Sequence, residues 1–251
     1  MTSTTEKVLV DRLTPQAVQV TINRPEKRNA VDLDALTLIA NALTSAIDSG
    51  AQVVILRGVD GWFCAGADIS AMHERGFAPA LQEVLRLLST APAVMMAAID
   101  GPALGAGLQL AMFCDIRVAT ARSTFGVPAG KLGLAIDHAT VVRLTQMIGR
   151  STATELLLGA EPIDGQRAYD LGFVHRCGDL DLAESWAARI AGLAPLSIRA
   201  HKLALGVAPQ PASTADDEAM AVAIARAGAS DDFAEGRLAF AEKRPPDFRG
   251  R

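Results

Sequence analysis

Apolar and polar positions alternate over residues 17–22, with Val18 and Val20 on one face, and a second extended run covers 7–13. Period-two alternation predicts two strands, and Thr14-Pro15 between them predicts the turn that pairs them. Leu33, Leu36, Ile39 and Leu43 then recur near helical spacing, and Asp32 or Asp34 can cap a helix running to about Ile47. Val53-Val54-Ile55-Leu56 is wholly apolar, the pattern of a strand covered on both faces. A helix starting between Pro79 and Gln82 and ending at Leu88 follows, then a buried strand over 93–99, a helix over 107–113 and a strand over 115–119. Strands alternating with helices predict right-handed crossovers and a mainly parallel sheet. Beyond about His138 the pattern turns helical, over 141–148, 153–158, 165–171, 182–193, 196–205, 215–227 and 231–242, with a brief strand at 174–175. The expected organisation is a sheet-rich core over 1–195 with a helical C-terminal region over 196–251.

Composition narrows the class. The chain has 251 residues, 50% of them hydrophobic and 21% charged, enough for one substantial core. A formal net charge of -4 gives no reason to expect nucleic acid or an anionic membrane surface as partner. Cys64, Cys114 and Cys177 have no metal-ligand spacing, and their odd number argues against a disulfide framework. The polar start has no apolar secretory core, and no apolar run reaches the ~18 residues of a membrane helix. A cytoplasmic protein with no metal is the expectation.

Two stretches carry the chemistry: Phe63-Cys64-Ala65-Gly66-Ala67-Asp68-Ile69 and Gly101-Pro102-Ala103-Leu104-Gly105-Ala106-Gly107-Leu108-Gln109. Each follows a buried strand and leads toward a helix. Small residues let a ligand approach the backbone, and the first amides of a helix have no internal partner. Each stretch alone also reads as an ordinary glycine-rich turn. Together, at one end of a parallel sheet, they can aim two amides at a carbonyl oxygen that gains negative charge.

Five ordered blocks resemble the enoyl-CoA hydratase/isomerase (crotonase) family along nearly the whole chain. They are Asn23-Arg24-Pro25-Glu26-Lys27-Arg28-Asn29-Ala30, Ala65-Gly66-Ala67-Asp68-Ile69, the 105–115 segment with Cys114-Asp115-Ile116, Phe125-Gly126-Val127-Pro128, and Phe240-Ala241-Glu242-Lys243-Arg244. The resemblance implies an α/β fold, a ClpP-like spiral of ββα units, with C-terminal helices that build a homotrimer or a dimer of trimers. It implies an acyl-CoA thioester as ligand, with coenzyme A as part of that ligand and no covalently bound cofactor. It places the two oxyanion amides on Ala67 and Ala106. The family commonly has glycine where Ala106 stands, and alanine keeps the N–H where its backbone angles suit a residue with a Cβ.

The departures from the family are informative. Hydratases resembling this chain carry glutamates at the positions of Gln109 and Ala129, where the pair holds a water and moves its protons. Gln109 forms hydrogen bonds but exchanges no proton near neutral pH, and Ala129 does neither. Asp137, in Gly133-Leu134-Ala135-Ile136-Asp137-His138, falls where certain isomerases and a dehalogenase of the family place a carboxylate. Two roles are open to it: a carboxylate whose pKa burial raises for proton shuttling, alone or paired with His138, or the N-cap of the next helix. By the same resemblance Lys27 and Arg28 approach the nucleotide phosphates, and the Asp68-Ile69 backbone meets the adenine. Ala65 lines the site, and Phe240 and Lys243 reach a neighbouring subunit's pocket. The block 105–112, the run 131–137 and the ending 242–248 are most similar to actinobacterial, mycobacterial-type paralogues that keep the acyl-CoA pocket and lack both glutamates.

Three functions follow as expectations. One is a binder of long-chain acyl-CoA in fatty-acid metabolism that does not hydrate it. The second is an isomerase, thioesterase or weak hydratase using Asp137, alone or with His138 or Gln109. The third is an interaction platform for lipid-synthesis enzymes.

Overall fold

The hairpin forms where alternation and turn chemistry meet. In the computed structural model, which describes residues 6–71, 74–132, 135–206, 222, 225–226 and 229–251, β1 (Val8–Thr14) pairs antiparallel with β2 (Ala17–Ile22). The Thr14 hydroxyl accepts the amides of Gln16 and Ala17 at 3.3 and 3.0 Å and closes the turn. From β2 the sheet continues in parallel through β3 (Val53–Gly58), β4 (Val94–Ile99), β6 (Ile116–Ala119) and β9 (Arg176–Cys177). A smaller sheet joins β5 (Pro102–Leu104), β7 (Thr124–Gly126) and β8 (Ile163–Asp164).

The alternation assigns the faces. Val18, Val20, Ile22, Val54, Leu56 and Met95 enter the larger core with α1 (Leu33–Asp48) and α2 (Phe77–Thr90). On the opposite face Val53, Ile55, Val94 and Met96 meet Ala183, Ala187 and Ile190 of α6 (Leu180–Ala191). Helices thus cover both faces, as wholly apolar central strands require. Asp32 caps α1 by accepting the Ala35 amide at 2.8 Å.

Several expectations are corrected. Residues 102–104, within the stretch read as a glycine-rich turn, and 124–126, assigned to no element from the sequence, form strands. Helix α2 begins at Phe77, before Pro79, because Gly76 (φ 106) starts it and proline fits a first turn. The helices expected at 141–148 and 153–158 form α4 (His138–Thr154), interrupted at Gly149 (φ 76, ψ 157), with a π-helical turn over Glu155–Gly159. The brief strand lies at Arg176–Cys177 and not at 174–175, because the amides that reach the carbonyls of Arg117 and Ala119 are those of His175 and Gly178. Further helices are α3 (Ala106–Phe113), α5 (Gly165–Asp170), α7 (Pro195–Gly206) and α8 (Asp231–Glu242). Nearly all of the helix expected at 215–227 lies outside the described residues. No described helix is long and apolar enough to cross a membrane.

Candidate functional site

The loops that follow β3 and β4 interlock through their backbones. Cys64 bridges Ala103, with the Cys64 amide donating to the Pro102 carbonyl at 3.1 Å and the Leu104 amide to the Cys64 carbonyl at 3.0 Å. A Cβ on Gly107 would lie 2.2 Å from the Cys64 oxygen, so glycine there lets α3 start against this loop. Val31 donates to Gly66 and accepts from Asp68, each at 2.8 Å, which directs the intervening Ala67 N–H to the other side. Ala106 is the first residue of α3, where an amide has no helical partner. Positive φ falls on Gly66 (114°) and Gly105 (53°), one residue before each of these alanines, and not on Ala106. Alanine is therefore unstrained at 106. Among the described residues, no acceptor pairs with either amide.

Both alanines line a cavity of about 330 Å3. Ala65 and Ile69 line it from the same loop, Phe77 and Leu81 from α2, Gln109 from α3, Ala129 from the turn over Pro128–Leu132, and Asp137 from the N-cap of the helix His138–Thr154. Phe77, Leu81 and Gln109 are buried, whereas Ile69 is 62% exposed at the mouth. The structure thus brings Ala65, Ala67, Ile69, Ala106, Gln109, Ala129 and Asp137 to one space.

The polar part of this space is a three-residue network. Asp137 caps α4 by accepting the Thr140 amide at 3.0 Å, and its Oδ2 accepts the Thr140 hydroxyl at 2.6 Å. The Gln109 side-chain amide donates to Thr140 Oγ1 at 2.9 Å and to Asp137 Oδ2 at 3.3 Å. An ionised carboxylate accepts from both neighbours, which fixes the glutamine with its NH2 toward Asp137. The expectation that burial raises the Asp137 pKa is overturned. Desolvation pushes it up, but the hydrogen bonds from the Thr140 hydroxyl and backbone amides outweigh it, and the pKa lies below the ordinary value. His138 is not among its partners in the described residues. Thr140 went unread in the sequence, although a threonine three residues after an N-cap aspartate is a recognisable signal.

Next to the 65–69 loop, Arg24 is buried and reaches Asp32 at 2.8 Å and Asp68 at 3.2 Å. It also donates to the Ala30 carbonyl. Asn29, fully buried at φ 57, donates to the carbonyls of Val59 and Trp62. Lys27 Nζ lies 3.6 Å from Asp68, and the Arg28 guanidinium stacks 5.1 Å over the Trp62 ring. The Asp68 amide donates to Val31, and its carbonyl accepts from Ala71 at 2.9 Å and keeps a second lone pair. The Ile69 side chain is exposed and available. Lys243 (φ 54) is exposed just after α8, and Phe240 lies in α8 with its side chain outside the described residues. Neither lines the cavity within one chain.

The other end of α3 is also occupied. Arg117, buried at 3% exposure, donates to the carbonyls of Ala111, Cys114 and Phe173 at 3.1, 2.7 and 2.7 Å. Burial pushes its pKa down to about 10. Arg143 donates to the Met112 carbonyl at 3.1 Å. Two cations thus meet the negative pole of α3, whose positive pole opens on the cavity. His175, for which no role is expected, accepts the Arg117 amide, and burial lowers its pKa to about 4.

With the interlocked loops and their cavity in view, comparison with known proteins gives the class. Residues 14–251 match the family model described as Enoyl-CoA hydratase/isomerase, and the chain belongs to that family. It is 37% identical to a probable enoyl-CoA hydratase, echA6, of Mycobacterium tuberculosis, over 92% of this chain and 95% of the relative. It is 33% identical to 2,3-dehydroadipyl-CoA hydratase of Escherichia coli, over 92% and 94%. The crystal structure of an enoyl-CoA hydratase from Bacillus anthracis superposes with a TM-score of 0.89 at 29% identity, covering 98% of this chain and all of the other. The fold is the crotonase fold, and the family acts on CoA thioesters.

Proposed function

We propose that the protein binds acyl-CoA thioesters and hydrates them poorly. The thioester oxygen takes the amides of Ala67 and Ala106, which have no other acceptor among the described residues. It sits at the positive pole of α3, where developing enolate charge is stabilised. The acyl group occupies the largely apolar cavity, and Lys27 and Arg28 lie on the nucleotide side. The observation that carries the reading is the state of Gln109. Its NH2 is tied to Thr140 and Asp137, and Ala129 lines the same cavity. No group at either position accepts and returns a proton. General acid–base groups contribute ~10²–10⁴-fold each, so two missing carboxylates remove most hydration while sparing binding. Calorimetry with hexanoyl-CoA, alongside a crotonyl-CoA hydration assay, tests this. Binding with turnover at least about a hundredfold below a family hydratase is expected. Turnover equal to that enzyme's overturns the reading.

A second reading is favoured by one observation: Asp137 lines the cavity. It makes Asp137 the base of an isomerase-type reaction. Asp137→Ala then abolishes turnover of a thioester that the wild type converts. An unaffected rate rejects it. The same proposal includes assembly of subunits through the C-terminal helices, supported by the exposed Leu203, Leu205 and Leu238. A neighbour's Phe240 and Lys243 then complete the CoA site.

A further inference from the structure

The cavity carries a charge bias that binding of a thioester does not by itself require. Among the described residues lining it there is no lysine, arginine or histidine, and one residue, Asp137, is a carboxylate. From this lining we propose that the protein selects acyl-CoA thioesters with an uncharged acyl group and rejects those whose acyl chain ends in a second carboxylate. The inference rests on the acyl-CoA reading above and adds the substrate class.

The described lining offers such a carboxylate no cation. Beside Phe77, Leu81 and the Ala106 methyl a terminal carboxylate meets side chains that donate nothing. A carboxylate there loses its hydration without a partner. Beside Asp137 it meets a negative charge held in place by the Thr140 hydroxyl and amide. The Gln109 NH2 is already spent on Thr140 and Asp137. Gln82, exposed at the mouth, offers a neutral amide and no charge. Two unit charges about 8 Å apart at an effective dielectric of about 20 repel enough to weaken binding about thirtyfold. Water and salt at the open side reduce this, so a loss of about tenfold is the expected floor.

Calorimetry on the full chain with three ligands of equal acyl length tests it: hexanoyl-CoA, adipoyl-CoA and the monomethyl ester of adipoyl-CoA. Adipoyl-CoA is expected to bind at least about tenfold more weakly than hexanoyl-CoA, with the ester within about threefold of hexanoyl-CoA. Asp137→Asn keeps an N-cap residue at α4 and is expected to narrow the adipoyl-to-hexanoyl ratio about fivefold. Equal affinity for adipoyl-CoA and hexanoyl-CoA overturns the charge selection alone. An ester as weak as adipoyl-CoA overturns it in favour of size. An unchanged ratio in the folded variant overturns the part given to Asp137. Failure of all three thioesters to bind removes the acyl-CoA reading, and this inference with it.

Discussion

Asp68 accepts hydrogen bonds from the Ser70 hydroxyl at 2.7 Å and the Ser70 amide at 3.2 Å, with Arg24 at 3.2 Å and Lys27 beyond. The Ser70 hydroxyl leads in drawing its pKa down to about 2. A carboxyl with a depressed folded pKa contributes stability that is present above its unfolded pKa and lost as pH falls through the folded value. That window runs from about pH 4 down to about pH 2 and is worth about 2 kcal/mol at 1.36 kcal/mol per unit. Urea unfolding of the wild type and Asp68→Asn at pH 5 and pH 2 should show their difference shrinking by about that amount. A difference independent of pH would reject the network as its source. The two aspartates also mark what single residues reveal from sequence. The cap at Asp137 was legible because its amide partner is three positions away. Its pKa direction was not, because it turns on the balance between burial and the hydrogen bonds of the Thr140 hydroxyl and the backbone amides, which only the folded geometry sets. Arg24 read as part of a polar loop because Asp68 is 44 positions distant.

Helix α3 is short and has a task at each end. Its first turn docks on the 63–67 loop through Gly107, and its last carbonyls are held by Arg117 and Arg143. Gly107→Ala places a methyl 2.2 Å from the Cys64 oxygen, and the fixed loop cannot yield without displacing Ala67. A loss of about 3 kcal/mol is expected, together with weaker hexanoyl-CoA binding, measured by denaturation and calorimetry. Wild-type values for both would show that the two loops can separate without consequence. The helix itself was legible to within a residue, because a glycine-rich start and an apolar run mark it. Strands β5 and β7 were not, being three residues each and paired only across 22 positions. Periodicity needs a longer run than that to register.

The parallel sheet was readable at the scale of the molecule from the order of patterns alone, as were the described helices that follow it. What joins them was not. Lys202 of α7 donates to Asp115 at 2.6 Å and to the Ala93 carbonyl at 2.8 Å, a tie spanning 87 positions in the first case. Lys202→Met leaves a largely buried carboxylate, whose pKa burial already raises, without its cation. A loss of about 3 kcal/mol is expected, or a Tm lower by about 6–12 °C. Because the unpaired carboxyl takes up a proton in the folded state, the deficit should be smaller at pH 5 than at pH 8. Thermal melts at the two pH values read both effects, and a deficit equal at both would place the destabilisation elsewhere. The N–H groups at 67 and 106 have a different relation to change. A handle made of peptide backbone passes through every substitution short of proline, so drift at 109, 129 or 137 can rewrite the fate of a bound molecule while the grasp is inherited whole.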